Sequence, residues 1–261
     1  MTRISKRNIV DQYVLIVFII LSVILSLVYS FRPLTSALFF FLIPSLYMLA
    51  RKPVIIKRVL AGSLLFGLLF GFALDFVALL NSAWSEPINQ LFFKDRIFGV
   101  IAADHIIWFF LWVLVIICYY EHFFEHERSD TISPHVRWGL IPAIFLTILL
   151  LVIFFVSPDT LKFRYAYLIL GIAALVPLVF LLFKKPRFYA KFAKTVPYFF
   201  FLFLAYELVA LYLGQWEFPG QYIGHVTLAG LSFPFEEFFF WILLSSPVIL
   251  SYYEIFIDDS V

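Results

Sequence analysis

The sequence predicts an all-α, polytopic membrane bundle of about eight transmembrane helices, built as two parallel four-helix repeats. Three observations predict it. The 261 residues are 64% hydrophobic and only 14% charged, with a mean hydropathy of +1.00, which excludes an ordinary soluble domain of this length. Apolar runs long enough to cross a ~30 Å hydrocarbon core recur along the whole chain. Acids, tryptophans and prolines in the first half return in the second at a nearly constant offset.

The apolar runs fall at 10–30, 34–50, 58–80, 98–120, 136–157, 164–183, 195–214 and 229–253. The first follows Arg3, Lys6 and Arg7, as a signal peptide would. Its apolar stretch from Tyr13 to Val28 exceeds the ~7–15 residues of a signal h-region and has no A-x-A-like site after it, so it reads as an uncleaved first span. Ser82 to Arg96 and Glu121 to Arg137 are expected to form small interfacial structures. Of the 19 Lys and Arg, only Arg32, Lys94, Arg96, Lys162 and Arg164 fall on one face of this arrangement. The others cluster in the N-terminus and the 51–58, 121–137 and 184–194 loops, and the positive-inside bias then places both termini in the cytoplasm. No basic tract points to nucleic acid. The only cysteine, Cys118, lies in an apolar run, which excludes a disulfide framework and a cysteine metal site within the chain. The 35 Phe, 14 Tyr and 6 Trp are too many for interfacial belts alone, so part of them is expected to line the interior.

The repeat is read from Asp75-Phe-Val-Ala-Leu-Leu-Asn-Ser-Ala-Trp84 against Glu207-Leu-Val-Ala-Leu-Tyr-Leu-Gly-Gln-Trp216, an acid nine residues before a Trp in each. Pro44 with Arg51-Lys52-Pro53 matches Pro177 with Lys184-Lys185-Pro186, and Tyr119-Tyr120-Glu121 matches Tyr252-Tyr253-Glu254. Two repeats, 1–130 and 131–261, related by an axis along the membrane normal, are expected. In this alignment Glu207 corresponds to Asp75 and Glu237 to Asp104.

The segment from Gly230 to Glu254 carries the strongest chemical signal, because it reads as a membrane helix opening on Pro234, Glu236 and Glu237. Carboxylates are costly in hydrocarbon, so such groups face a bundle interior and mark function. Glu207, nine residues before Trp216, lies ~13 Å from that boundary at 1.5 Å per residue, a depth similar to that of Glu236 and Glu237. Adjacent helical residues point about 100° apart, so these two cannot both face one spot. A helix N-terminus favours negative charge, which accounts for Glu236 alone but not for Asp75 and Glu207 near the opposite ends of their helices. Carboxyl groups in a water-poor cavity favour the neutral acid, which can donate a proton that an ionised neighbour takes back. Aromatic faces stabilise a cation without attacking it. Acid, base and aromatic walls together suit proton-initiated rearrangement of a lipid-soluble alkene.

Pro234-Phe-Glu236-Glu237-Phe238-Phe239-Phe240, preceded by the Glu207-to-Trp216 segment, resembles the repeat motif of the heterodimeric-type and fused membrane carotenoid (lycopene) cyclases of actinobacteria, archaea and fungi, which are distinct from the flavin-dependent cyclases. The resemblance covers about 32–123 and 164–255. In the first copy Ile101-Ala102-Ala103-Asp104-His105 stands where Pro-x-Glu-Glu is expected, so only Asp104 keeps an acid there. The resemblance implies a lycopene-type cyclase in a bacterial or archaeal membrane that isomerises a carotenoid without redox change and needs no cofactor. Homo- or hetero-oligomers are compatible with it. It further implies that Glu237 or Glu236 protonates a ψ-end, that Glu207 takes the ring proton, and that Asp75 and Asp104 complete the site. Trp216, Phe238, Trp241, Trp84 and His105 are the candidate substrate contacts.

Other readings stay open on sequence. The acid layer also fits a proton- or cation-linked transporter or lipid-binding protein, and the degenerate first copy fits a non-catalytic cyclase partner. His122 and His126, flanked by Glu121, Glu125 and Glu127, share a helical face in a spacing that could hold a metal, but they read more simply as a solvated helix end, and no metal is assigned.

Overall fold

The structure, a computed structural model, describes residues 6–125 and 131–258, and it is an all-α bundle with two small hairpins at one end. Among the described residues seven helices are long and apolar enough to cross a membrane: α1 Lys6–Tyr29, α2 Pro33–Arg51, α3 Pro53–Leu80, α4 Ala103–Phe123, α5 Val136–Val156, α6 Ala166–Lys184 and α7 Arg187–Tyr212. An eighth, α8, is a pair, Glu237–Leu243 and Ser245–Phe256, bent by 54°. The chain crosses back and forth, so the turns after α2, α4, α6 and α8 share one end, which is rich in cations. The turns after α1, α3, α5 and α7 share the other. Arg3, His126, Glu127 and Arg128 lie outside the described residues, so the His122/His126 pairing falls partly beyond them.

The central element is α4, most of which is buried, whereas α1 and α5 expose most of their apolar surface. Helices α3 and α4 pack backbone to backbone at Gly67. A Cβ built there would sit 2.8 Å from the Phe110 Cα and 3.2 Å from the Phe109 carbonyl oxygen, both backbone atoms that cannot swing aside. Gly67→Ala is therefore expected to destabilise the bundle by about 1–3 kcal/mol, the usual cost of overpacking. The check is the thermal midpoint of purified protein in detergent, and an unchanged midpoint would mean that the two helices are not held at this separation.

Several expected boundaries shift. The fourth helix begins at Ala103 rather than at 98, because β1 Arg96–Ile97 and β2 Ile101–Ala102 form a hairpin before it. The last begins past 229, because β3 His225–Leu228 and β4 Leu231–Pro234 form a second hairpin. Ala229 and Gly230 turn that hairpin with φ of +51° and +80°, the two positive values of a type I′ turn. Pro234 thus ends a strand instead of occupying the first turn of the helix. The third and seventh helices begin earlier than expected, at Pro53 and Arg187.

Three contacts join positions that match between the two halves, one at each level of the bundle. At the end with the hairpins, Ser85 and Glu217 exchange two backbone hydrogen bonds of 2.9 Å. At mid-depth the Trp108 and Trp241 rings stack with centroids 4.7 Å apart. At the cation-rich end Tyr120 donates to Glu254 while Tyr253 donates to Glu121. Beside this crossed pair the fully buried Arg58 lies 3.4 Å from Glu121 and 2.6 Å from Asp258. Lys52 donates to the carbonyls of Glu121 and Glu125, and burial lowers its pKa while the Glu121 and Glu125 carboxylates act to raise it. Glu125, Glu254 and Asp258 bring oxygen atoms within 4.8 Å of one another, but Lys191 donates to Glu125 and Tyr120 to Glu254, so hydrogen bonds within the chain already engage two of these acids.

Candidate functional site

Between the halves, nearer the hairpins than the cation-rich end, lies a cavity of about 390 Å³. That falls in the range of roughly 300–1,000 Å³ usual for small-molecule sites. Five of the six tryptophans line it: Trp84, Trp108, Trp112, Trp216 and Trp241. Trp108 and Trp112 stand one turn apart on α4, and Trp241 of α8 stacks against both, with centroids 4.7 and 4.1 Å away. Trp108 is fixed by donating to the Tyr206 hydroxyl at 2.7 Å. Phe66, Phe70, Phe109, Phe218 and Phe240 add to the aromatic part of the wall, and aliphatic residues such as Leu74, Leu146, Leu170 and Val248 form much of the rest.

The acids divide into three groups. Glu237 lines the cavity and accepts a hydrogen bond from Tyr167 of α6, which also lines it. Asp75 and Glu207 stand behind the wall, each holding a wall tryptophan in place. Trp84 Nε1 donates to Asp75 at 2.9 Å and Trp216 Nε1 to Glu207 at 3.1 Å, the same nine-residue contact in both halves. Asp104 and Glu236 turn away from the cavity and secure loops. Asp104 accepts from the backbone N–H groups of Phe92 and Phe93 at 2.9 and 2.8 Å, and Glu236 accepts from that of Ile223 at 2.8 Å.

This division changes the correspondence between the halves by one residue. Asp104 matches Glu236 in its contacts, and His105, which lines the cavity, matches Glu237. Ala102 and Pro234 then both end the strand that enters the helix. The offset between halves is 133 at Pro44 and Pro177, 132 from Asp75 to His105, and 133 again at Tyr119 and Tyr252. Each change coincides with a π-helical stretch in the longer half, Ser63–Phe70 in α3 and Glu237–Leu243 in α8. A π turn accommodates one extra residue within a helix.

Of the expected substrate contacts, Trp216, Trp241, Trp84 and His105 line the cavity. Phe238 does not; it packs edge-on against Phe200, with centroids 6.1 Å apart. Sequence reasoning passed over Glu86, Tyr167, Trp108 and Trp112. The strongest of these omissions is Glu86, whose carboxylate lies 2.7 Å from His105 Nε2, while His105 Nδ1 lies 2.8 Å from Asp75. All three are buried. The only signal for Glu86 was its place one residue after Ser85, in a loop that could as well have been solvated.

Over the cavity, the loops after α3 and α7 are tied together. The Tyr222 hydroxyl donates to the Ala83 carbonyl at 2.7 Å and accepts from the Gly220 N–H at 2.9 Å. Burial pushes the Tyr222 phenol up to about 12, which keeps it a neutral donor across the physiological range. Chemically, the arrangement can hold an apolar molecule against aromatic faces, with a carboxyl–phenol pair on one side and a carboxylate–imidazole–carboxylate chain on another. No protein-family model matches the chain, and comparison with curated proteins and with solved structures gives no match.

Proposed function

We propose that this chain is a membrane carotenoid cyclase of the lycopene cyclase domain type, which closes a ring at the ψ-end of an acyclic carotenoid by proton-initiated isomerisation. One observation carries the reading: the Pro-x-Glu-Glu carboxyl group that faces inward, Glu237, borders an apolar cavity into which five tryptophans project. Glu237 is the acid in this reading. Its proton goes to the terminal alkene, the internal double bond closes on the resulting cation, and the tryptophan faces stabilise that cation without trapping it. Glu236 serves the loop above the site instead, and Asp104 does the same on the other side. Ring closure conserves the electron count, so the chemistry calls for no redox cofactor.

The matched contacts at Ser85/Glu217, Trp108/Trp241 and the crossed Tyr–Glu pairs support two parallel repeats, 1–130 and 131–261, about an axis along the membrane normal. The cation bias supports both termini on the cytoplasmic side. The direct test is expression in cells that accumulate lycopene, with pigments separated by chromatography. Cyclic carotenoids are the expected result. Unchanged lycopene, with the protein demonstrably in the membrane, would overturn the reading.

A further inference from the structure

We propose that the group that takes the ring proton is Glu86, held in place by His105 and Asp75. This assignment rests on the cyclase reading and departs from the expectation that Glu207 plays that part. Glu207 lies behind Trp216, outside the cavity wall, whereas the carboxylates in the wall are Glu237 and Glu86. They come from different halves of the chain.

The three residues form one continuous chain of hydrogen bonds. Trp84 donates to one oxygen of Asp75 at 2.9 Å, and the other oxygen meets His105 Nδ1 at 2.8 Å. His105 Nε2 meets Glu86 at 2.7 Å, and both His105 and Glu86 border the cavity. Both ring nitrogens are thus engaged by carboxylates. The imidazole cannot itself reach a substrate C–H, and the group left to do so is Glu86. With one proton shared between His105 and Glu86 beyond the one that His105 directs at Asp75, the chain carries a single negative charge whichever of the two holds it. That charge, in a cavity lined mainly by apolar side chains, stabilises the carbocation, and it disappears when the cation gives up its proton.

The step balances as follows. The Glu237 O–H bond breaks and a C–H bond forms at the terminal alkene carbon. The electron pair of the internal double bond forms the ring C–C bond. A ring C–H bond then breaks, its electron pair becomes the ring double bond, and its proton passes to Glu86. Glu237 regains one proton and the Glu86 chain gives one up, so product and substrate are isomers. Glu86 is the catalytic residue here; His105 and Asp75 are positioning residues that set its orientation and charge.

The test is the yield and ring-isomer ratio of cyclised carotenoid from lycopene-accumulating cells, normalised to the amount of each variant in the membrane. Glu86→Gln is expected to lower ring formation by on the order of 100-fold or more, the lower range for loss of a general base. Glu86→Asp keeps the carboxylate and is expected to recover to within roughly 10-fold of wild type. His105→Gln and Asp75→Asn are expected to shift the position of the ring double bond, because a misdirected Glu86 removes a different proton; a purely structural role would leave that ratio unchanged. An active wild type with an unaltered Glu86→Gln variant would overturn this assignment alone. Equal losses in Glu86→Asp and Glu86→Gln would also overturn it, by assigning Glu86 a packing role. A wild-type chain that leaves lycopene acyclic would overturn the cyclase reading and this assignment with it.

Discussion

Replacing Glu237 with Gln is expected to reduce ring formation by roughly 10²- to 10⁴-fold, the range for a positioned general acid, while leaving the protein in the membrane at its normal level. The amide is nearly isosteric and can still accept the Tyr167 hydrogen bond, so packing around the site is preserved, but it cannot deliver a proton to an alkene. Tyr167→Phe is the companion variant. It removes only the partner that orients Glu237, and a loss on the order of 10-fold is expected from imperfect alignment. The same substitution at Glu236 should spare the chemistry and act on the loop that Ile223 belongs to, because Glu236 faces that backbone and not the cavity. Chromatography of pigments from the three strains separates these outcomes. Undiminished cyclisation in Glu237→Gln would remove this acid from the mechanism.

The largest expected effect on stability lies at the other end of the bundle. Arg58→Met is expected to cost about 3–5 kcal/mol, because it removes the guanidinium that faces Glu121 at 3.4 Å and Asp258 at 2.6 Å and leaves their carboxylates buried. Removing charge on both sides should cost less than removing the cation alone, so Arg58→Met combined with Asp258→Asn is expected to recover part of the loss. Denaturant titration of the detergent-solubilised protein reads the difference. An Arg58→Met variant as stable as wild type would show that the acids are neutral in the folded protein and need no cation.

The spans were legible because hydrocarbon imposes its own thickness, and runs such as 136–157 and 164–183 have no other explanation. The β3–β4 hairpin was not legible. Leu231-Ser-Phe-Pro234 is as apolar as the helix that follows it, and an apolar run of that length does not distinguish strand from helix. The slip that paired Glu237 with Asp104 has a similar origin: a π turn changes the register by one residue and leaves no mark in composition. Trp84, Trp216 and their acids were found because a tryptophan nine residues after a carboxyl is a rare enough coincidence to notice twice. Glu86 escaped because an acid beside a proline in a loop looks like a solvated surface residue. Only the fold, by bringing the 82–95 segment over α4, turns it inward against His105.

The ties at the two ends of the bundle bear on how a guest enters. At one end the Ser85–Glu217 pairing and the Tyr222 hydroxyl stitch the loops together; at the other the crossed Tyr–Glu pairs and Arg58 join the halves. Opening along the axis would break these polar contacts, of which the crossed Tyr–Glu pairs and Arg58 are buried. The cavity's remaining side is formed by Leu146 of α5 and by Leu170, Gly171, Ala173 and Ala174 of α6, small or flexible groups on two helices whose outer surfaces are largely bare. Those two helices pack little against each other, and each is held instead by α3 and α8. A molecule dissolved in the bilayer would meet fewer polar ties on that side than at either end of the bundle.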